Sequence, residues 1–155
     1  MGEWAAELLA QAIAMEREAA QRYAELAQAM TRQGQHAAAA LFRMLAEHEG
    51  RHLAELRRRT AGMALPPLEA DCSWPETIPL DALERGASTQ RALAMALAAE
   101  KRAHAFFEQA LRVARDAETR ELAREMAAEE AEHAALIERM MKLAARYPAD
   151  WRSGA

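Results

Sequence analysis

The prolines constrain this chain first. They stand at Pro66, Pro67, Pro75, Pro79 and Pro148 and nowhere else. A proline inside a helix costs about 3 kcal/mol, because it lacks an N–H and its ring strikes the carbonyl one turn back. The runs before Pro66 and between Pro79 and Pro148 are therefore free to stay helical. Their residues favour it. Ala, Glu, Arg, Gln, Leu and Met are abundant while aromatics make up only 5%, a composition that prefers helix to strand.

Within those runs, apolar residues recur at helical spacing. A first helix over about residues 3–30 carries the stripe Leu9, Ile13, Glu16, Ala20, Tyr23, Ala27 and Met30. Thr31 to Gly34 breaks it, with Gly34 as the turn residue. A second helix over about 35–60 carries Phe42, Leu45, Glu49, His52 and Leu56, with Gly62 suited to its C-terminal cap. A third, capped by Ser88 or Thr89, runs over about 88–115 with Leu93, Leu97, Glu100, His104, Phe107 and Leu111. Asp116 to Thr119 is a tight connection or a kink. A fourth helix over about 118–146 follows, with Leu122, Met126, Glu130, His133, Ile137 and Met140.

Residues 63–79 hold four of the five prolines. Extended, this stretch reaches about 55 Å. A helix the length of the second is only about 39 Å long. The stretch can therefore cross back along the helices, and Asp81 caps a short turn ending at Gly86 before the third helix. The expectation is an all-α four-helix bundle: two antiparallel hairpins joined by a long crossover, in a single domain over residues 1–155. The halves resemble a repeat, with Met15-Glu16-Arg17-Glu18-Ala19 lying over Ala99-Glu100-Lys101-Arg102-Ala103.

The stripes contain residues that a core does not ordinarily take. Glu49-Gly50-Arg51-His52 and Glu130-Ala131-Glu132-His133 are both Glu-x-x-His. Positions three apart return to one helical face, so each pair can hold one metal ion. Two such pairs, with one inward Glu from each of two other helices, make a carboxylate-bridged di-metal site. Glu16 and Glu100 are the inward residues. Each stands as far from its predicted turn as its partner pair does: the midpoints fall near residues 33 and 116, in breakers read independently. Four inward carboxylates at one level repel strongly unless cations neutralise them. Carboxylate with imidazole suits iron or manganese. Either motif alone arises readily by chance in a Glu-rich chain; two matched motifs with two level-matched Glu residues do not.

Other residues admit plainer readings. His104 is an extra ligand or a satisfied inner histidine. Tyr23, seven residues after Glu16, is a hydrogen-bond donor near the metals or a core aromatic; the equivalent residue in the other half is Phe107. His48 and Glu129 read as surface residues, and Met as core filler. A lone Cys72 excludes a disulfide framework or an iron–thiolate site within one chain and fits a reducing, cytoplasmic setting. Lys+Arg 20 against Asp+Glu 24 leaves no basic footprint for nucleic acid. No apolar run is long enough to span a bilayer, and the N-terminus lacks the pattern of a signal peptide. Ala-rich faces are compatible with a homodimer.

Glu16-Arg17-Glu18-Ala19-Ala20-Gln21-Arg22-Tyr23 with Ala46-Glu47-His48-Glu49-Gly50-Arg51-His52 resembles the first half of a rubrerythrin-type ferritin-like domain. Glu100 to Phe107 and Glu129 to His133 resemble its second half. The resemblance implies a non-haem di-iron centre that reacts with hydrogen peroxide or dioxygen, with Glu16, Glu49, His52, Glu100, Glu130 and His133 as ligands and Glu49 and Glu130 as bridges. Rubrerythrins draw electrons from a rubredoxin-like iron–thiolate domain. With one cysteine, this sequence is expected to use a separate electron donor. The family's third helix carries a second Glu three residues after the first; Ala103 stands there, a departure that puts the family's redox-linked ligand exchange in question for this chain. The expected function is a rubrerythrin-like peroxidase or oxidase. The alternatives are iron sequestration with ferroxidase activity and a bundle that metal merely stabilises.

Overall fold

The computed structural model describes residues 3–67 and 89–146. Four helices make up the described chain: α1 (Glu3–Arg32), α2 (His36–Arg59), α3 (Thr89–Val113) and α4 (Ala117–Arg146). α1 pairs with α2 and α3 with α4, as two antiparallel hairpins; α1 also meets α3, and α2 meets α4. This is the expected all-α four-helix bundle of two antiparallel hairpins. Most of the crossover, with Cys72, the Asp81–Gly86 turn and the Ser88 cap, lies outside the described residues, as does the tail from residue 147.

Both hairpin turns follow from local chemistry. α1 ends where Gly34 adopts φ 72°, a conformation that costs a side-chain-bearing residue about 1–2 kcal/mol. The Gln35 N–H then reaches back to the Met30 carbonyl at 2.8 Å, and the Gly34 N–H to Thr31 at 3.1 Å. This is a Schellman cap, which satisfies carbonyls that the helix end leaves open. Gly62, after α2, also has positive φ, at 81°. α3 and α4 are separate helices, not one kinked helix. Asp116 sits between them, and its Oδ1 accepts the Thr119 N–H at 2.7 Å. Its own carbonyl accepts the Arg120 N–H at 3.1 Å, so Asp116 is the N-cap of α4.

The core falls into two apolar clusters. One gathers Tyr23, Met30, Phe42, Leu45, Leu93 and Ile137. The other gathers Leu9, Leu56, Phe107, Leu122 and Met126. In every helix the stripe passes from one cluster to the other: from Leu9 to Tyr23, Leu45 to Leu56, Ala96 to Phe107, and Ala127 to Ile137. Between them, in every helix, lies one buried Glu: Glu16, Glu49, Glu100 or Glu130. Fully burying a large apolar side chain contributes about 1.5–3 kcal/mol. The two clusters thus offset a polar layer that does not stabilise the fold unaided. Buried alanines, among them Ala38, Ala39, Ala92 and Ala96, keep the helices close enough for that layer to converge. Among the described residues, no helix is long and apolar enough to cross a membrane.

Candidate metal centre

Glu16, Glu49, Glu100, Glu130 and His133 are each no more than 2% exposed. The His52 side chain is 11% exposed. Their donor atoms form two quartets. Glu16, Glu49, His52 and Glu130 make one; Glu49, Glu100, Glu130 and His133 make the other. Within each quartet the donor atoms lie within 4.8 Å of one another. All six residues that the two sequence motifs and their level-matched partners single out come together here.

Glu49 and Glu130 belong to both quartets, and each divides its two oxygens between them. Glu49 places Oε2 3.5 Å from His52 Nδ1 and Oε1 3.0 Å from His133 Nδ1. Glu130 places Oε1 3.8 Å from His52 Nδ1 and Oε2 3.7 Å from His133 Nδ1. Glu16 reaches only His52, at 3.5 Å, and Glu100 only His133, at 3.6 Å. The result is two shared carboxylates flanked by two terminal ones.

Despite these short separations, the groups do not satisfy one another. Nδ1 of both histidines, both oxygens of Glu49, and one oxygen each of Glu16, Glu100 and Glu130 are buried without a hydrogen-bond partner. Unpaired buried charge costs several kcal/mol per group. Converging lone pairs without intervening protons are what a cation requires, and the hard oxygens and imidazoles fit divalent first-row metals.

Without a cation, protons must do that work. Burial, and then the neighbouring Glu49, push Glu16 well above the ordinary carboxylate range. Burial and Glu100 do the same to Glu130. Burial would also raise Glu49, but Glu16, His133 and His52 overturn it and hold the group well below that range. Burial opposes charge on His133, yet Glu100, Glu130 and Glu49 around it push its pKa up to about 12. Burial and mutual repulsion thus favour the protonated forms of Glu16 and Glu130, and a cation bound there would have to displace those protons.

Outside the quartets, Tyr23 is fully buried and donates its hydroxyl to Glu100 Oε1. Burial and the nearby Glu100 and Glu49 raise its pKa well above that of a free phenol, so it stays a donor. His104 belongs to neither quartet. Its Nδ1 lies 2.9 Å from the Ala127 carbonyl, and its Nε2 lies 3.9 Å from Glu108.

Two residues that read as surface in the sequence meet the site histidines. His48 is half-buried, and its Nδ1 lies 3.1 Å from Nε2 of His133. Burial, His133 and Arg51 lower its pKa, which favours the neutral ring. Glu129 meets Nε2 of His52. Each stands four residues before one histidine yet contacts the histidine of the other hairpin. The spacing hinted at both, since i and i+4 share a helical face; the exchange between hairpins is tertiary. A cavity of about 310 Å³ lined by His48, Arg51, His52, Glu129, Glu132 and His133 lies against this side of the centre.

The Rubrerythrin family model matches residues 7–70. The chain is similar to an uncharacterised conserved protein from Magnetospirillum magnetotacticum of known crystal structure. The two are 33% identical, with a TM-score of 0.79 over 88% of this chain and 93% of that one. It also shares its fold with a hypothetical protein from Pyrococcus furiosus, at 21% identity and a TM-score of 0.70 over 92% of this chain and 91% of that one. No curated protein matches the chain.

Proposed function

The chain belongs to the rubrerythrin-type ferritin-like family, and from that membership we propose that it is a non-haem di-iron protein that reacts with hydrogen peroxide or dioxygen. One observation carries this reading: Glu49 and Glu130 each offer one oxygen to each quartet. Glu16 and His52 complete one position, and Glu100 and His133 the other. Two carboxylates shared in this way would serve a pair of ions, with Glu49 and Glu130 common to both.

Charge supports it. Four ionised carboxylates carry four negative charges, which two divalent ions neutralise. Glu16, Glu49, His52, Glu100, Glu130 and His133 would hold the ions, and ferrous iron bound there would supply the electrons for reducing peroxide or dioxygen. The chain does the rest. The apolar clusters on either side keep bulk water from the layer. Tyr23 holds a proton on its hydroxyl against Glu100. Binding through Nδ1 of each histidine leaves its Nε2–H to donate to Glu129 or His48, which fixes tautomer and ring orientation. The cavity beside His48 and Glu129 has room for a small oxidant. Within this sequence a lone cysteine cannot hold an iron–thiolate relay, so the returning electrons come from outside this domain.

The test is an anaerobic titration of the metal-free protein with ferrous ion, followed by peroxide. The expected result is saturation near two irons per chain, a charge-transfer band after peroxide, and sustained turnover once a reductant is added. Oxidation that stops after one round would favour iron sequestration. Weak, featureless binding would remove the centre altogether.

A further inference from the structure

The two metal positions have the same inner ligands. Each takes one terminal Glu, one His through Nδ1, and one oxygen from each of Glu49 and Glu130. Nothing in that set distinguishes them. The residues behind it do.

Behind His52, Nε2 meets the carboxylate of Glu129. Behind His133, Nε2 meets the imidazole of His48 at 3.1 Å. Glu100 accepts the hydroxyl of Tyr23. Seven residues after Glu100, where the repeat would put the matching donor for the other half, stands Phe107, which has no hydroxyl to give.

These differences act in one direction. A carboxylate that accepts the outer N–H of an imidazole makes its inner nitrogen a stronger donor and brings a negative charge close to the ion. An imidazole in the same place accepts the N–H but carries no negative charge. A phenol that donates to a ligating carboxylate draws charge away from the metal. The position of Glu16 and His52 is enriched by its surroundings, and the position of Glu100 and His133 is depleted.

We propose that the two positions are unequal, that the position of Glu16 and His52 takes a divalent ion more tightly, and that Glu129 and His48 are the positioning residues that set the difference. The inference rests on the dinuclear reading above. Partners of this kind change metal affinity by about 10–100-fold, so a preference of at least about tenfold is expected.

Glu129 suits the test because its side chain is 48% exposed, so Glu129→Gln leaves the core intact. The metal-free full chain is loaded anaerobically with one equivalent of Co(II) and crystallised, and occupancy is read from anomalous scattering at the cobalt edge. The expected density lies at Glu16 and His52. Glu129→Gln should narrow the difference between the two occupancies, and Glu129→Asp should restore it. His48→Glu should shift occupancy toward Glu100 and His133. A merely structural role for either residue would not move the ratio. Equal occupancy in the native protein, or a preference that Glu129→Gln leaves undiminished, overturns the proposal and leaves the dinuclear centre standing. Cobalt bound elsewhere, or not at all, overturns the centre itself.

Discussion

Tyr23 on α1 donates its hydroxyl to Glu100 on α3, so the two hairpins are tied together through the polar layer as well as through the core. The Tyr23 ring lies nearly parallel to Phe42, with centroids 6.0 Å apart. The residue thus has an apolar body in one cluster and a polar tip in the centre. Tyr23→Phe keeps the body and removes the tip. The variant should fold with unchanged helicity and lose about 1–3 kcal/mol in the metal-free state, because a buried carboxylate oxygen is left without its donor. Urea denaturation measures this; an unchanged midpoint and slope would show that the bond contributes nothing to stability.

Sharing of Glu49 and Glu130 predicts an asymmetry among the ligand variants. Glu16 serves one quartet, and Glu49 serves both. Glu16→Ala should therefore reduce binding from two ions to about one per chain, whereas Glu49→Ala should abolish tight binding at both positions. Calorimetry with a divalent first-row metal separates the two outcomes. Equal loss in both variants would mean that Glu49 is not a bridge.

The cap at Asp116 ties stability to pH. The Thr119 N–H, with help from the Thr119 side chain, holds the Asp116 carboxyl below its ordinary value. A depressed carboxyl contributes stability that is present above the unfolded-state pKa, near 3.9, and is lost as pH falls through the folded-state value. Asp116→Ala should cost about 1 kcal/mol at neutral pH. Asp116→Asn should keep most of the cap and remove its contribution to acid sensitivity. Chemical denaturation from neutral to acidic pH tests both; parallel native and Asp116→Asn profiles would disprove the linkage.

Proline positions and helical periodicity made the four helices legible, and Gly34 marked its turn because only a left-handed residue closes a Schellman cap there. The convergence of the polar layer was legible for a related reason: antiparallel helices put residues equidistant from a turn at one level, so Glu16 and the Glu49–His52 pair could be matched by counting. Counting stops at the hairpin. Whether Tyr23 meets Glu100, or His48 meets His133, depends on how the two hairpins dock, and contacts 77 and 85 residues apart leave no local trace. His48 and Glu129 therefore looked like solvated residues beside a ligand face. The carboxylate and the imidazole that distinguish the two positions were visible only once the hairpins were side by side.

Burying four carboxylates in one layer is a cost that the fold carries for its site, and this predicts a trade between stability and binding. Glu130 is 1% exposed, between Ala127 of one cluster and Ile137 of the other. Leucine at that position joins the two apolar clusters and removes a carboxyl group whose charged form burial and Glu100 disfavour. Burial and the carboxylates around it both penalise a charge at Glu130, and an apolar side chain of similar volume carries neither cost. Glu130→Leu should therefore melt at or above the temperature of the native metal-free protein. Metal should reverse the order. A ligand present at a hundred times its dissociation constant stabilises the folded state by about 2.7 kcal/mol, a gain open to the native chain and closed to the variant. Thermal melts of both proteins, each with a chelator and with excess divalent metal, measure the crossover. A variant that melts well below the native metal-free protein would mean that Glu130 supports the bundle through its contacts, and that the polar layer is not the burden its buried charges imply.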